Sequence, residues 1–420
     1  MSPEWHIEYQ ERQLKLLMDF ASKHVPFYIE IFRTDGIDSD TIRNLDDLAR
    51  LPIISKSTLK NNLHRFLPTG TKLDLASHDS GRVSDVASGF PVEKEAAIME
   101  KALVARHWEN CGYELGQSVI YLTNHSFSKE HEPHAHDGVH NRHYFDVGLL
   151  TAKNLSEYCR KIKATGADFI FGYPSSLEIL ADFIIQWGIE LDFHGVMSAW
   201  EVLTDTAREK IETAFGAKVY DWYGFSFPAA SMGQCHYCEG YHLFSEYGIL
   251  ELVDFDGNLA AEKGKVGRIV VTNLTNHAMP LIRYDTGDLG IYCGEPCRCG
   301  RGLPRIVEKI PGRAQDLLIS DDGRYLPPAS FYALFSEFGI PAAKFQIIQN
   351  DRKSFSVKLI QGLECRDEII GCLKKALAEQ IGGDPEIGVE VVDRIETENG
   401  KMRSVTRKLD LINEDALQPV

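Results

Sequence analysis

Between residues 118 and 224 the chain repeats one order, a short apolar run and then an amphipathic stretch. "SVIYLT" is followed, after an insert, by "TAKNLSEYCRKIKATG". "ADFIFGYPSS" is followed by "SSLEILADFIIQWG", "FHGVMSAWE" by "DTAREKIETAFG", and "AKVYDWYG" closes the series. The apolar runs lack polar alternation, so they read as strands covered on both faces. Strands that alternate with helices imply crossover units and a mainly parallel sheet. An α/β fold follows, with sites expected at the C-terminal ends of the strands.

The flanking segments are of other kinds. Residues 5–33 predict one helix, with Leu14, Leu17, Met18 and Phe20 on its apolar face. "NLDDLARLPIISKSTLKNN" predicts a short helix, a proline break and a serine-initiated turn. Glu93 to Cys111 has helical spacing. From about Gly248, "GILELVDFDGNLAAEKGKVGRIVVTNLT" alternates β-branched residues with Gly, Asp and Asn turns, which predicts antiparallel strands in a small β unit. The last hundred or so residues predict a small α+β unit: "FQIIQND", "FSVKLI", a helix over 366–380 and "IGVEVVD". The boundary falls near Gly312–Leu318, dividing the chain into 1–314 and 315–420.

With 420 residues, 44% hydrophobic and 25% charged, the chain has material for a large core. A formal net charge of −16 argues against non-specific binding to nucleic acid or an anionic membrane. No apolar run reaches the roughly 18 residues that span a bilayer, and "MSPEWHIEYQERQLKLL" lacks the apolar core of an export signal. A cytoplasmic location is expected. The nine cysteines then point to thiols or metal ligands rather than disulfides.

Five of those cysteines fall in two short segments. "QCHYCEGYH" supplies Cys235, Cys238 and His242, and "CGEPCRCGR" supplies Cys293, Cys297 and Cys299. A C-x₂-C pair with a distant C-x-C suits tetrahedral zinc. Four of the six should bind: Cys235, Cys297 and Cys299, with Cys238 or His242 as the fourth. A closed set of four protein ligands makes the site structural. The alternative is a group of buried free thiols. "NHSFSKEHEPHAHDGVHNRHYFD" holds six of the fifteen histidines. A polar loop is the plain expectation, with His136 and His143 as candidates for a second metal site or a general base acting on a thiol.

Several blocks occur in a telling order: "VYDWYGFS", "PLIRYDTGDLG", "CRCGRGLPRIVEKIPGRAQDLLI" and "ENGKMRSVTRKL". With "ASKHVPFYIEIF", "LDDLARLPIISKSTL" and "FGYPSSLEIL", they resemble the phenylacetate–CoA ligase branch of the adenylate-forming superfamily over essentially the whole chain. The resemblance implies a large N-terminal domain and a mobile C-terminal lid. It implies acyl-AMP formation from an acid and ATP, then thioester formation on coenzyme A. Mg²⁺ and a structural zinc with a histidine ligand belong to the same picture, as does a homodimer.

The resemblance assigns roles residue by residue. Lys401 matches the lid lysine that bridges carboxylate and α-phosphate. Asp288 matches the aspartate that accepts from the ribose hydroxyls. Arg313 matches the arginine near ribose and phosphate; at the hinge two positions on, Gln315 stands in place of the usual charged residue. Arg283 matches the same block as a nucleotide contact or a structural anchor. Tyr223 and Gly224 match the aromatic–glycine pair over adenine. The family then places a magnesium-binding glutamate where this chain has Phe227, and phenylalanine cannot ligate a hard cation. Glu201 matches another acidic position near the nucleotide. Ser80 and Gly81 match the start of the phosphate loop, but "SGRVSD" lacks the family's threonines, second glycine and lysine; Arg82 offers charge and Asp85 opposes it. His136, His143 and Tyr173 fall where the family builds its acyl pocket.

The implied function is an acyl- or aryl-CoA ligase. The alternatives are ATP-independent acyl transfer between coenzyme A and a carrier protein or amine, and a weakened nucleotide- or CoA-binding homologue.

Overall fold

The computed structural model describes residues 2–75, 90–123, 134–151, 153–225 and 227–313. In the C-terminal part it describes 316, 318–320, 325–326, 331, 334–335, 337–340, 344–360, 367–395 and 404–407. The helix expected over 5–33 is two helices, α1 (Pro3–His24) and α2 (Pro26–Thr34). Pro26 is the reason: it removes a helix donor and biases Val25 to the extended conformation it adopts (φ −107°, ψ 107°). Ser2 caps α1 by accepting from the Trp5 N–H. Leu14, Leu17, Met18 and Ala21 are fully buried, and each larger side chain there stabilises by about 1.5–3 kcal/mol. Ser55 caps α3 (Lys56–Asn61), the serine-initiated turn of the sequence.

The α/β expectation holds. Strands β1 (Val119–Thr123), β4 (Phe169–Gly172), β5 (Gly195–Ala199) and β6 (Val219–Tyr223) run parallel. Helices α5 (Leu155–Ala164), α6 (Pro174–Trp187) and α7 (Asp205–Phe215) cover one face, and α4 (Lys94–Trp108) covers the other. This two-sided cover is why the strands carry unbroken apolar runs.

Beyond β6 the direction reverses. Strands β7 (Met232–Gln234), β8 (Tyr241–Leu243), β9 (Gly248–Val253), β10 (Val266–Asn273), β11 (Tyr284–Tyr292) and β12 (Arg305–Arg313) pair antiparallel. These are the antiparallel strands expected from the sequence, and they continue the parallel strands in one sheet. β7 pairs directly with β6, so one twelve-stranded sheet runs β2-β3-β1-β4-β5-β6-β7-β8-β12-β11-β10-β9. Three-residue strands such as β7 and β8 are too short to show a period. At the far edge, β2 (His134–Asp137) and β3 (Arg142–Asp146) form a hairpin inside the histidine-rich insert, where a polar loop was expected. The face it shares with buried Phe145 carries His134, His136 and His143, so no apolar alternation announced it.

The C-terminal unit has a core of its own, built on Phe335, Phe345, Val357 and Leu373. Its sheet runs β17 (Glu386–Val392), β16 (Ser354–Ile360), β15 (Phe345–Gln349) and β18 (Val405–Arg407), with helix α8 (Asp367–Ile381) and a short hairpin of β13 (Leu318–Ile319) and β14 (Tyr325–Leu326). The Gln349 side chain is buried and exchanges two hydrogen bonds with the Ile319 backbone, at 2.6 and 2.9 Å. It acts as one more rung of a ladder.

Candidate functional site

Asp288 lies on β11 just after a tight irregularity. Gly287 takes φ +76°, which an L side chain rarely adopts. The Asp288 N–H donates to Thr286 Oγ1, and the Thr286 hydroxyl donates to the Ile269 carbonyl. These bonds aim the carboxylate across the sheet. Tyr223, the last residue of β6, donates its hydroxyl to Asp288 Oδ2 at 2.8 Å. Arg313, paired with Asp288 in the β11–β12 register, brings Nε to 3.5 Å from Oδ1. Burial pushes the Asp288 carboxyl above its ordinary range, against the pull of Arg313 and Tyr223. The result is a largely desolvated acceptor, its side chain 20% exposed, beside a guanidinium that is 57% exposed. Gly224 follows because a Cβ there would lie 2.5 Å from Trp222 Nε1.

Sequence reasoning missed Lys56. Ile54 pairs with the start of β11, its N–H on the Arg283 carbonyl and its carbonyl accepting from Asp285 N–H. This sets Lys56 so that its charge acts on Asp288. No motif marks it, because the approach is made by tertiary structure. Arg283 proves to be an anchor: it is buried, forks onto Glu251 at 3.0 and 3.1 Å, and donates to Leu51 O at 2.6 Å.

Phe227 stacks on Phe90 (5.0 Å between centroids) and on Phe225 (5.5 Å), with Tyr284 edge-on at 5.8 Å. An apolar wall therefore stands where the resemblance expects a carboxylate. Glu201 accepts from the Ser175 N–H at 3.0 Å and so caps the first turn of α6. Beside it Trp200 takes φ +70°, is 42% exposed, and meets Phe171 and Tyr173 at 5.2 and 5.6 Å. Left-handed backbone in a tryptophan is costly and clusters at functional sites; the sequence gives no sign of it.

His136 and His143 stack on each other on the β2–β3 hairpin. His143 lies two strands and His136 three strands from β4, whose end carries Tyr173. Lys401, Ser80, Gly81, Arg82, Asp85 and Gln315 lie outside the described residues.

The metal-ligand set is the clearest cluster. Donor atoms of Cys235, His242, Cys297 and Cys299 all lie within 4.8 Å of one another. Cys235 follows β7, His242 lies on β8, and the β11–β12 loop brings Cys297 and Cys299. Cys235 Sγ is 3.7 Å from Cys297 Sγ, and Cys299 Sγ is 3.7 Å from His242 Nε2. Tetrahedral bonds of about 2.3 Å to sulfur require neighbouring sulfurs about 3.8 Å apart. His242 Nδ1–H donates to the Leu303 carbonyl at 3.1 Å, turning Nε2 toward the thiols. The open choice between Cys238 and His242 thus falls to His242. Cys238 has φ +56° and donates its thiol to Val219 O, while Cys293 donates to Glu295 O.

This fold defines a class. The chain resembles the solved structure of a 2-hydroxyisobutyryl-CoA ligase in complex with R3-HIB-AMP, with a TM-score of 0.72 at 17% identity over 99% of this chain and 93% of that one. Its architecture is that of the adenylate-forming CoA ligases. In sequence it is 28% identical to the phenylacetate-coenzyme A ligase of Thermus thermophilus over 319 residues, 74% of this chain and 71% of that protein. It is 22% identical to Protein CapK of Staphylococcus aureus over 406 residues, 94% of this chain and 88% of that protein. A family model described as the CapK C-terminal domain matches residues 318–408. The chain is thus similar, in sequence and fold, to the phenylacetate–CoA ligase-like branch of the adenylate-forming superfamily.

Proposed function

We propose that this protein is an acid–thiol ligase of the phenylacetate–CoA ligase type, which activates a carboxylic acid with ATP and transfers it to coenzyme A. The observation that carries this reading is the Tyr223–Asp288–Arg313 constellation. First, a carboxylate oxygen of the acid bonds to the α-phosphorus while the bond to pyrophosphate breaks. Then the coenzyme A sulfur bonds to the acyl carbon, the thiol proton passes to solvent, and AMP leaves. Two anions meet in the first step, so the site must supply positive charge. Arg313 and Lys401 supply it, and Asp288 accepts from the ribose hydroxyls. In this reading Tyr223 and Gly224 serve the adenine, the resemblance assigns Ser80 and Gly81 to the phosphates, and Glu201 and Tyr173 serve the acyl side.

The division into 1–314 and 315–420 belongs to this reading, with Lys401 in the smaller part. So does a cytoplasmic homodimer; no described helix is long and apolar enough to cross a membrane. Zinc fits Cys235, His242, Cys297 and Cys299 as a structural ion that ties β8 to the β11–β12 loop. Mg²⁺ finds no donor in Phe227, and no step is assigned to it.

The test supplies ATP, coenzyme A and a panel of carboxylic acids, and follows AMP release with thioester formation. Lys401→Ala should abolish acyl-AMP formation yet spare thioester formation from supplied acyl-AMP. Equal loss of both half-reactions, or no AMP released with any acid, would defeat the reading.

A further inference from the structure

The hairpin at the edge of the large sheet plays no part in the chemistry above. In its antiparallel register His136 faces His143, and His134 faces Phe145. Residues two apart on a strand share a face, so His134 and His136 point together, and cross-strand pairing adds His143. The rings bear this out. His136 and His143 stack at 4.2 Å and 13°, and His134 and His143 at 5.5 Å and 15°. His134 and His143 are half-buried and His136 is exposed, so the trio is open to solutes. Strand propensity alone would favour valine, isoleucine or threonine at such positions.

We propose that His134, His136 and His143 form a second metal site, taking a late first-row divalent ion such as Zn²⁺ on three imidazole nitrogens. An H-x-H strand with a third histidine directly across offers three nitrogens on one face. Such donors suit zinc, nickel or copper and not oxygen-seeking magnesium or calcium. His134 Nε2 lies 3.3 Å from His143 Nδ1, a hydrogen bond between the rings whose proton an ion would displace. Tetrahedral bonds of about 2.05 Å to nitrogen require a separation of about 3.3 Å. The His136 ring is stacked on His143, and its donor atom is not yet within 4.8 Å of both the others, so an ion would turn that ring toward the pair. Asp137 is not a ligand: its carboxylate holds the turn, accepting from the His140 ring at 2.7 Å and from the Val139 N–H at 2.9 Å. Three protein ligands leave a position for water or an anionic oxygen. Strands β1, β4, β5, β6 and β7 lie between β3 and β8 in the sheet, so the site is distinct from the cysteine cluster. An ion here would staple a hairpin of four- and five-residue strands at an edge that is otherwise free to fray.

The experiment titrates zinc calorimetrically into full-length protein whose metal content is known, and repeats the titration with Co²⁺. The cysteine cluster gives a thiolate-to-cobalt charge-transfer band; an all-imidazole site gives only weak ligand-field bands. One further equivalent should bind without adding to the thiolate band. His136→Ala and His143→Ala should each weaken it by about tenfold or more, with the metal-free thermal midpoint kept. His140→Ala, in the same turn, should leave it intact. His143→Gln, which keeps the side chain's bulk, should show the same loss if the alanine variant is unstable. No further equivalent in the parent, or parental affinity in the His134/His136/His143 triple variant, would overturn the site. So would equal loss on His140→Ala.

Discussion

Asp288 sits between two donors of different character. The Tyr223 ring is half-buried and its hydroxyl is held on the carboxylate, while the Arg313 guanidinium is open to solvent. A charge-assisted hydrogen bond contributes about 1.5–3 kcal/mol. Asp288→Ala should therefore weaken AMP binding by roughly tenfold or more per lost bond, read by calorimetry, with the thermal midpoint little changed. Binding at parental strength would remove Asp288 from the nucleotide site. Asp221 shows the opposite use of a carboxylate. It is buried, and accepts from Ser198 and Tyr241 hydroxyls, each at 2.5 Å. Burial pushes it from 3.8 to about 6. The native state thus holds this proton more tightly than the unfolded chain does. Its contribution to stability is full below about pH 4 and declines as pH rises through about 6, by a total of about 3 kcal/mol. Asp221→Asn does not titrate, so its stability relative to the parent should rise between pH 4 and 7 in urea unfolding. A flat difference would show that burial does not govern this group. At this scale the sequence was legible where a block carried the residue, as with Asp288, Arg313 and Tyr223. Lys56 and Trp200 were not legible, because a bridge to β11 and a left-handed backbone place them.

Elements follow the same division. The buried strands β1, β4, β5 and β6 announced themselves because cover on both faces leaves continuous apolar runs. The short strands β7 and β8 did not, yet they position Cys235 and His242. The C-x₂-C spacing suggested a knuckle; Cys235 lies in the donor cluster, but the turn swings Cys238 back onto Val219 O. His242 takes its place because β8 pairs with β12 at Arg305. The two loops are also joined by Arg305, which donates to Glu239 O at 2.7 Å and to Glu295 O at 3.1 Å. Protein purified without added metal should carry about one zinc per chain at this cluster. Cys297→Ser and His242→Ala should lower both zinc content and thermal midpoint, while Cys238→Ser and Cys293→Ser should keep the zinc. Full zinc in His242→Ala, or its loss in Cys238→Ser, would return the fourth ligand to the knuckle.

Over the whole molecule, the proposed function leaves the groups for adenosine and those for the outer phosphates unequally provided. Asp288, Tyr223 and Arg313 converge at the position proposed for the ribose, with Lys56 adding charge. On the other side the family's glutamate is Phe227, stacked into an aromatic wall with Phe90 and Phe225. Phe90 closes the segment "HDSGRVSDVASGF", which lacks the threonines and lysine of the family's phosphate loop. Used as proposed, a site stocked in this way would hold the α-phosphate and give little to the β- and γ-phosphates or their cation. AMP, or a non-hydrolysable acyl-AMP mimic, should therefore bind at least as tightly as Mg-ATP. Each missing charge-assisted contact lowers ATP affinity by about tenfold or more. Slow ATP-dependent ligation is still expected, because backbone N–H groups alone can bind phosphate and Arg82 adds a charge. Calorimetric titrations with AMP, Mg-ATP and the mimic give the order directly. ATP binding far more tightly than AMP would show that the wall and the altered loop cost the outer phosphates nothing. Phe227→Glu tests the cause: restoring a carboxylate beside the nucleotide should tighten Mg-ATP relative to AMP, and an unchanged ratio would place the asymmetry elsewhere in the site.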